Sequence, residues 1–173
     1  MSIDSQQSHN IYISVGSNVD KEKHTKAGLQ GMYNAFGELT LSSVFESESV
    51  GFEGNNFYNL VVKACTQLSI SEVCRVLKQI EQDNKRQRSE QKFAPRTLDL
   101  DLLLYDRLVT TKPIELPRPE VLYNAFVLKP MAEIAADEIH PVVNESYANL
   151  WQNYDKNQQK LWSITFDWSP EGV

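Results

Sequence analysis

Cysteine is scarce in this chain, with two in 173 residues, and that scarcity excludes a disulfide framework. Cys65 and Cys74 also sit at a spacing that fits no common metal-ligand pattern, and they read as buried free thiols. His9, His24 and His140 are scattered, so a histidine metal centre would need three distant segments to converge. No apolar run is long enough to cross a bilayer, and the opening MSIDSQQSHN has no stretch suited to a secretory signal. A basic excess is missing too: the formal charge of −6 argues against broad binding of nucleic acid or adhesion to an anionic membrane. Repeats, linkers and low-complexity tracts are absent. The resulting expectation is a cytoplasmic protein with one domain over residues 1–173, flexible ends at 1–9 and 169–173, and neither nucleic acid nor membrane as partner.

What is present is ordinary globular usage, 41% hydrophobic and 23% charged. NIYISVG alternates Ile11, Ile13 and Val15 with Tyr12 and Ser14, a strand that Gly16 turns. Asp20 can cap a helix with Ala27, Leu29, Met32, Tyr33 and Phe36 on its apolar face and Gly37 at its stop. LTLSSVFESES and FYNLVVKACTQL read as two strands that pair antiparallel across VGFEGNN. Ser69 and Glu72 have the spacing of a capping box, and Ile70, Val73, Val76, Leu77 and Ile80 follow at helical spacing. A charged segment, DNKRQRSEQKFAPR, then leads into the strand of PRTLDLDLLLYD. Beyond come a proline-spaced loop, short helices around VLKPMAEIA and SYANLWQNY, and a last strand in KLWSITF. The order βαββαβ predicts an α+β, ferredoxin-like sandwich: an antiparallel sheet with helices packed on it and a helical C-terminal extension. A dinucleotide-binding fold is disfavoured because G-x-G-x-x-G is missing after the first strand.

Side chains alternate across a strand, so Asp99 and Asp101 share one face while Leu98, Leu100 and Leu102 take the other. Two carboxylates about 7 Å apart at an effective dielectric near 20 repel by roughly 2 kcal/mol, and something must offset that. Magnesium would, because it takes one or two carboxylates and completes its shell with water and substrate phosphates. A solvated face paired with arginines would as well. Lys85, Arg86, Arg88, Lys92 and Arg96 crowd the preceding segment. They read either as a solvated helix end or as one side of a polyphosphate site. In GFEGNNFYN, Phe57 or Tyr58 offers an aromatic face and Asn59 a paired donor and acceptor, which suits a flat heteroaromatic ring. Phe57 and Phe126 serve equally as core residues.

IYISVGSN, SVGFEGNNFYN, IEQDNKRQR, PRTLDLDLLLYD and LPRPEVLYNAFVLKPMAEIA stand in order over residues 10–141. Together the sequence resembles the 6-hydroxymethyl-7,8-dihydropterin pyrophosphokinases of folate biosynthesis. The resemblance implies an ATP-dependent diphosphotransferase that moves diphosphate from MgATP to the pterin hydroxymethyl group and releases AMP. By matching position it assigns two Mg2+ ions to Asp99 and Asp101, and catalytic roles to Arg86, Arg96, Asp99 and Asp101. It places Glu81, Arg88, Lys92, Phe93, Leu102 and Arg118 around ATP, and Ser47, Val50, Phe57, Asn59 and Phe126 around the pterin. It also implies a monomer.

Four positions depart from the family pattern. Lys92 and Phe93 stand where many members have arginine and tryptophan, and Arg118 and Asn124 stand for a histidine and an arginine. Arg118 keeps a cation for phosphate, whereas Asn124 keeps hydrogen bonding without charge. A second reading follows from these departures, a catalytically weak homologue that binds nucleotide or pterin as a sensor. A third, a basic-patch nucleic-acid module, is opposed by the acidic net charge.

Overall fold

A computed structural model of the protein describes residues 7–48, 56–84, 97–157 and 159–171. Its elements run β1 (His9–Ser17), α1 (Lys21–Phe36), β2 (Thr40–Leu41), β3 (Val44–Ser47), β4 (Phe57–Thr66), α2 (Ile70–Asp83), β5 (Asp99–Tyr105), α3 (Glu120–Tyr123), α4 (Ala125–Ile134), α5 (Tyr147–Gln152) and β6 (Leu161–Ile164). The strands form one sheet in the order β5-β1-β4-β3-β6, with β2 also on β4, and every pairing is antiparallel. This is the expected α+β arrangement, with the strand expected in KLWSITF at the edge beside β3.

The run LTLSSVFESES is two strands, not one, because Ser42 interrupts the ladder. Its N–H donates to the Val61 carbonyl at 2.9 Å, but its hydroxyl replaces its own carbonyl as acceptor for the Val61 N–H at 3.0 Å. A serine side chain competing with the main chain in this way breaks regular pairing. Ser43 is then drawn out to Glu133 of α4, through N–H and hydroxyl contacts of 2.7 and 2.6 Å.

The capping box at α2 forms as predicted: Ser69 accepts from the Glu72 N–H at 3.2 Å and Glu72 accepts from the Ser69 N–H at 2.9 Å. The start of α1 differs from expectation. Asp20 holds the N-cap position in the left-handed region (φ 43°) and makes no side-chain cap bond. The buried stripe of α1 is His24, Thr25, Gly28, Leu29 and Met32, with Tyr33 and Phe36 only half-buried. Gly37 does end the helix, at φ 85°, donating to the Tyr33 carbonyl at 2.8 Å.

Two apolar cores lie on the two faces of the sheet. On the first, Ile11, Ile13, Val15, Leu60, Val62, Leu98, Leu100 and Leu102 pack under α1 and α2, with Leu29, Met32, Val73, Leu77 and Ile80 above them. On the second, Tyr12, Val61, Leu103 and Leu104 meet Val127, Leu128 and Met131 of α4 and Tyr147 of α5. The expected helical extension at the C-terminus is therefore also the cover of the second face.

Leu103 and Leu104 are sequence neighbours yet share a core, which strict alternation forbids. The register of β5 on β1 slips there: Leu104 opposes Tyr12 and Leu102 opposes Ile13. Leu103 is the extra residue of a β-bulge. Before the bulge odd-numbered residues face α4, and after it Tyr105 turns to the α1/α2 core. The ends of the described chain are bonded: His9 stacks on Tyr105 with centroids 4.6 Å apart, and the Glu171 N–H donates to Gln30 of α1 at 2.8 Å. Among the described residues no helix is long and apolar enough to cross a membrane.

Candidate active site

The register of four strands puts Asp99, Gly16, Asn59 and Phe45 in one row across the sheet. Paired residues face the same way, and Val61 and Tyr12 of the same parity lie in the α4 core, so the row faces α4. The cover of this face is anchored at Tyr12, Val61, Leu103 and Leu104, toward the other end of the strands. At the Asp99 end the sheet is polar: Asp101 opposes Ser14, and Ser47 opposes Phe57. With strands about 4.8 Å apart, Asp99 and Asn59 stand about 10 Å from one another, two strands across.

Asn59 and Ser47 are both 6% exposed. The Asn59 amide donates from Nδ2 to Ser47 Oγ at 3.0 Å, which fixes the plane of the amide and aims its oxygen toward β1. A Cβ on Gly16 would stand 3.3 Å from that oxygen. Glycine at this position lets the Asn59 carbonyl lie across the neighbouring strand. Phe57 is half-buried and joins neither core, while Phe126, in the first turn of α4, packs against the second core as a half-buried ring.

Asp99 and Asp101 are both half-exposed on the α4 face, as alternation required. Arg118, from the loop before α3, donates from Nη2 to Asp101 Oδ1 at 3.1 Å. Glu81, at the end of α2, accepts from the Leu100 N–H at 2.7 Å and so satisfies a donor on the outer edge of β5. Burial pushes the Glu81 carboxyl above the usual carboxylate range; the Leu100 bond opposes that shift, and the charges of Asp99 and Asp101 reinforce it. Among the described residues no third acid, histidine or cysteine joins the aspartates in a group that could hold a metal. Two part-exposed carboxylates on a rigid strand suit magnesium, which draws most of its oxygen shell from water and phosphate. The donor set fits that ion and does not fit zinc, which would want nitrogen or sulfur ligands.

The remaining expected residues divide clearly. Leu102 is 1% exposed in the α1/α2 core, opposite the aspartates. Its side chain therefore points away from the nucleotide expected beside the aspartates, as the alternation of β5 requires, and leaves only its main chain on that side. Val50, Arg86, Arg88, Lys92, Phe93 and Arg96 lie outside the described residues. Asn124 is the N-cap residue of α4, and Gln159 holds it: Gln159 donates to Asn124 Oδ1 at 3.4 Å and accepts from the Ala125 N–H at 2.6 Å.

Sequence reasoning missed Gln159, because no local pattern joins residues 35 apart. It also missed Lys129, whose ammonium lies 5.6 Å from the Phe45 ring centre and 5.0 Å from that of Trp151. Lys129 is one helical turn after Phe126, on a stripe that continues to Glu133 and its bonds to Ser43. That i, i+3, i+4 stripe was the signal available in the sequence.

The family model for 7,8-dihydro-6-hydroxymethylpterin-pyrophosphokinase matches residues 12–136. Among curated relatives, the chain is 33% identical over 135 residues to the 2-amino-4-hydroxy-6-hydroxymethyldihydropteridine pyrophosphokinase of Aquifex aeolicus, covering 76% of this chain and 84% of that one. It is 36% identical over 128 residues to the enzyme of the same name from Bacillus subtilis, covering 71% of this chain and 76% of the relative. In fold it resembles a Plasmodium falciparum HPPK-DHPS triple mutant, with a TM-score of 0.69 at 11% identity, over 87% of this chain and 45% of that one. The chain thus spans less than half the length of that fused protein, and the likeness bears on fold alone. The family match, the two relatives and the paired aspartates on the α4 face agree, and the chain belongs to the 7,8-dihydro-6-hydroxymethylpterin-pyrophosphokinase family.

Proposed function

We propose that this chain performs its family's reaction, transfer of diphosphate from ATP to the hydroxymethyl group of 6-hydroxymethyl-7,8-dihydropterin, at the row running from Asp99 to Phe45. The observation that carries the reading is the placement of two acids and a ring-reading amide on one sheet face, about 10 Å apart. A bicyclic ring with a one-carbon arm, lodged at Asn59, points its hydroxyl toward the aspartates. The pterin oxygen attacks the β-phosphorus, the bond from that phosphorus to the α-phosphate oxygen breaks, AMP leaves, and the hydroxyl proton passes to water or phosphate.

In this scheme Asn59 and Ser47 hold the polar edge of the ring, and Phe57 and Phe126 supply aromatic faces, worth about 1 kcal/mol each beyond burial. Asp99 and Asp101 would hold two magnesium ions, which when bound offset phosphate charge and fix in-line geometry. Arg118 reaches the phosphates from the edge of β5. By resemblance Arg86, Arg88, Lys92, Phe93 and Arg96 complete the nucleotide site and Val50 the pterin site. Asn124, fixed by Gln159, contributes hydrogen bonds where the family pattern has a cation. All assigned groups come from one chain, in keeping with a monomer of a single domain that works in the cytoplasm.

The test is AMP release from MgATP and the reduced hydroxymethylpterin, comparing wild type with Asp99→Ala and Asp101→Ala. Both substitutions should abolish turnover in folded protein. Unchanged turnover in both would remove the proposed metal role.

A further inference from the structure

Arg118 is tied down at its main chain and uncommitted at its tip. Its N–H donates to the Leu103 carbonyl at 2.9 Å, and Leu116, two residues earlier, is 1% exposed. The side chain is 28% exposed, and its hydrogen bond to Asp101 runs from Nη2 to Oδ1 at 3.1 Å. Its Nε is shut off from solvent and has no hydrogen-bond partner among the described residues. A guanidinium settled in a structural ion pair would turn its planar fork to the carboxylate and make two parallel bonds. Among the described residues this one makes a single bond and leaves a buried donor without an acceptor, which is costly unless another acceptor arrives.

Asp101 Oδ1 is also the oxygen a divalent cation would seek. Guanidinium and metal are both positive, and at one carboxylate oxygen they would repel strongly in a part-buried setting. We propose that Arg118 and the metal are alternative occupants of the Asp101 oxygen, so that loading of the metal frees the guanidinium to bind the nucleotide phosphates. The proposal rests on the reading of Asp101 as a metal ligand. It gives Arg118 a positioning role with two settings, carboxylate or phosphate, and both use the same donors. Metal without nucleotide then binds against competition from Arg118. Metal with nucleotide binds with that competitor converted to a ligand of the phosphates.

The experiment titrates full-length protein to saturation with Mn2+ alone, followed by electron paramagnetic resonance, and then with a non-hydrolysable ATP analogue in saturating Mn2+, followed by calorimetry. Arg118→Met should bind Mn2+ alone about threefold more tightly, the size of a part-exposed charge pair lost as competitor. The same variant should bind the analogue about tenfold more weakly, since a charge-assisted contact to phosphate is gone. Arg118→Lys, which keeps charge without the fork, should lie between wild type and Arg118→Met on both measures. Thermal melts confirm that each variant is folded. Unchanged or weaker binding of Mn2+ alone by Arg118→Met overturns the exchange and makes the pair a support for Asp101. Asp101→Asn separates the two levels: if it binds Mn2+ as wild type does, the metal assignment itself fails, whereas a loss there with no gain in Arg118→Met defeats only the exchange.

Discussion

The two faces of the sheet are built from the same strands and are finished differently. Under α1 and α2, Ile11, Ile13, Val15, Leu60, Val62, Leu100 and Leu102 are at most 5% exposed, and helix side chains close over them from end to end. On the α4 face the strand residues of the apolar core are Tyr12, Val61, Leu103 and Leu104, with Phe45 buried at the far end of the row, and polar side chains take over at Asp99, Asp101, Ser14 and Asn59. The closed face supplies stability through area removed from water. The half-covered face gives up some of that area to hold charges and an oriented amide on a backbone the other face keeps rigid. Substitutions on the two faces should therefore separate stability from activity.

The largest separation is expected at the aspartates. Asp99→Ala or Asp101→Ala should lower turnover about a thousandfold or more, the scale of losing a main electrostatic contact in the transition state, while the melting temperature stays near wild type. Leu102→Ala, one residue from Asp101 but on the other face, should do the reverse. A fully buried leucine cut to alanine costs about 3 kcal/mol, read as a lower urea midpoint with activity per folded molecule retained. If Leu102→Ala removed activity at unchanged stability, the division of the faces would be wrong.

Gly16→Ala sharpens the comparison inside the row. The added Cβ meets the Asn59 oxygen at 3.3 Å, so the amide must tilt, and pterin affinity should fall about tenfold, the cost of a disturbed hydrogen bond. ATP affinity should be unaffected. A smaller effect concerns the far end of the α4 face. His140 is 3% exposed, its Nδ1 accepts from the Val142 and Val143 N–H groups at 3.1 and 3.3 Å, and burial lowers its pKa below the usual 6.5. A histidine held neutral by folding contributes stability that is full above pH 6.5 and is lost as pH falls through the depressed value. The urea midpoint of wild type should thus decline on going from pH 7.5 to pH 5. His140→Gln should flatten that slope without changing turnover at pH 7.5.

Much of this architecture is legible in the sequence where the cause is local. The Ser69 and Glu72 box needs only a three-residue spacing, and the shared face of Asp99 and Asp101 needs only the two-residue period of a strand. Taken seriously, the same period would have withheld a nucleotide role from the Leu102 side chain. What escaped has causes distant in the chain. Arg118 meets Asp101 because Leu103 fixes the loop before α3 against β5, and Gln159 meets Asn124 because β6 adds to β3. Asp20 looks like a cap by residue type but adopts a left-handed backbone that points its side chain elsewhere. The family blocks drew attention to Arg118 by substitution, without indicating that its tip would face Asp101. The relatives matched are pyrophosphokinases by name, which gives the sensor reading no support.

The bulge at Leu103 has a consequence for how this sequence can vary. It acts as a phase shifter between two halves of one strand: upstream, odd positions answer to phosphate chemistry, and downstream, Tyr105 answers to the α1/α2 core. Loss of one leucine from the run 102–104 would restore regular alternation and leave both halves on their present faces, because residue 103 is the one without a partner on β1, whereas loss of a residue between the aspartates would turn one half over. Point substitutions within each half remain independent, so the acidic end and the packing end of β5 can drift separately in composition. The strand thus has one place, its leucine run, where a change in the number of residues is absorbed, and none at its acidic end.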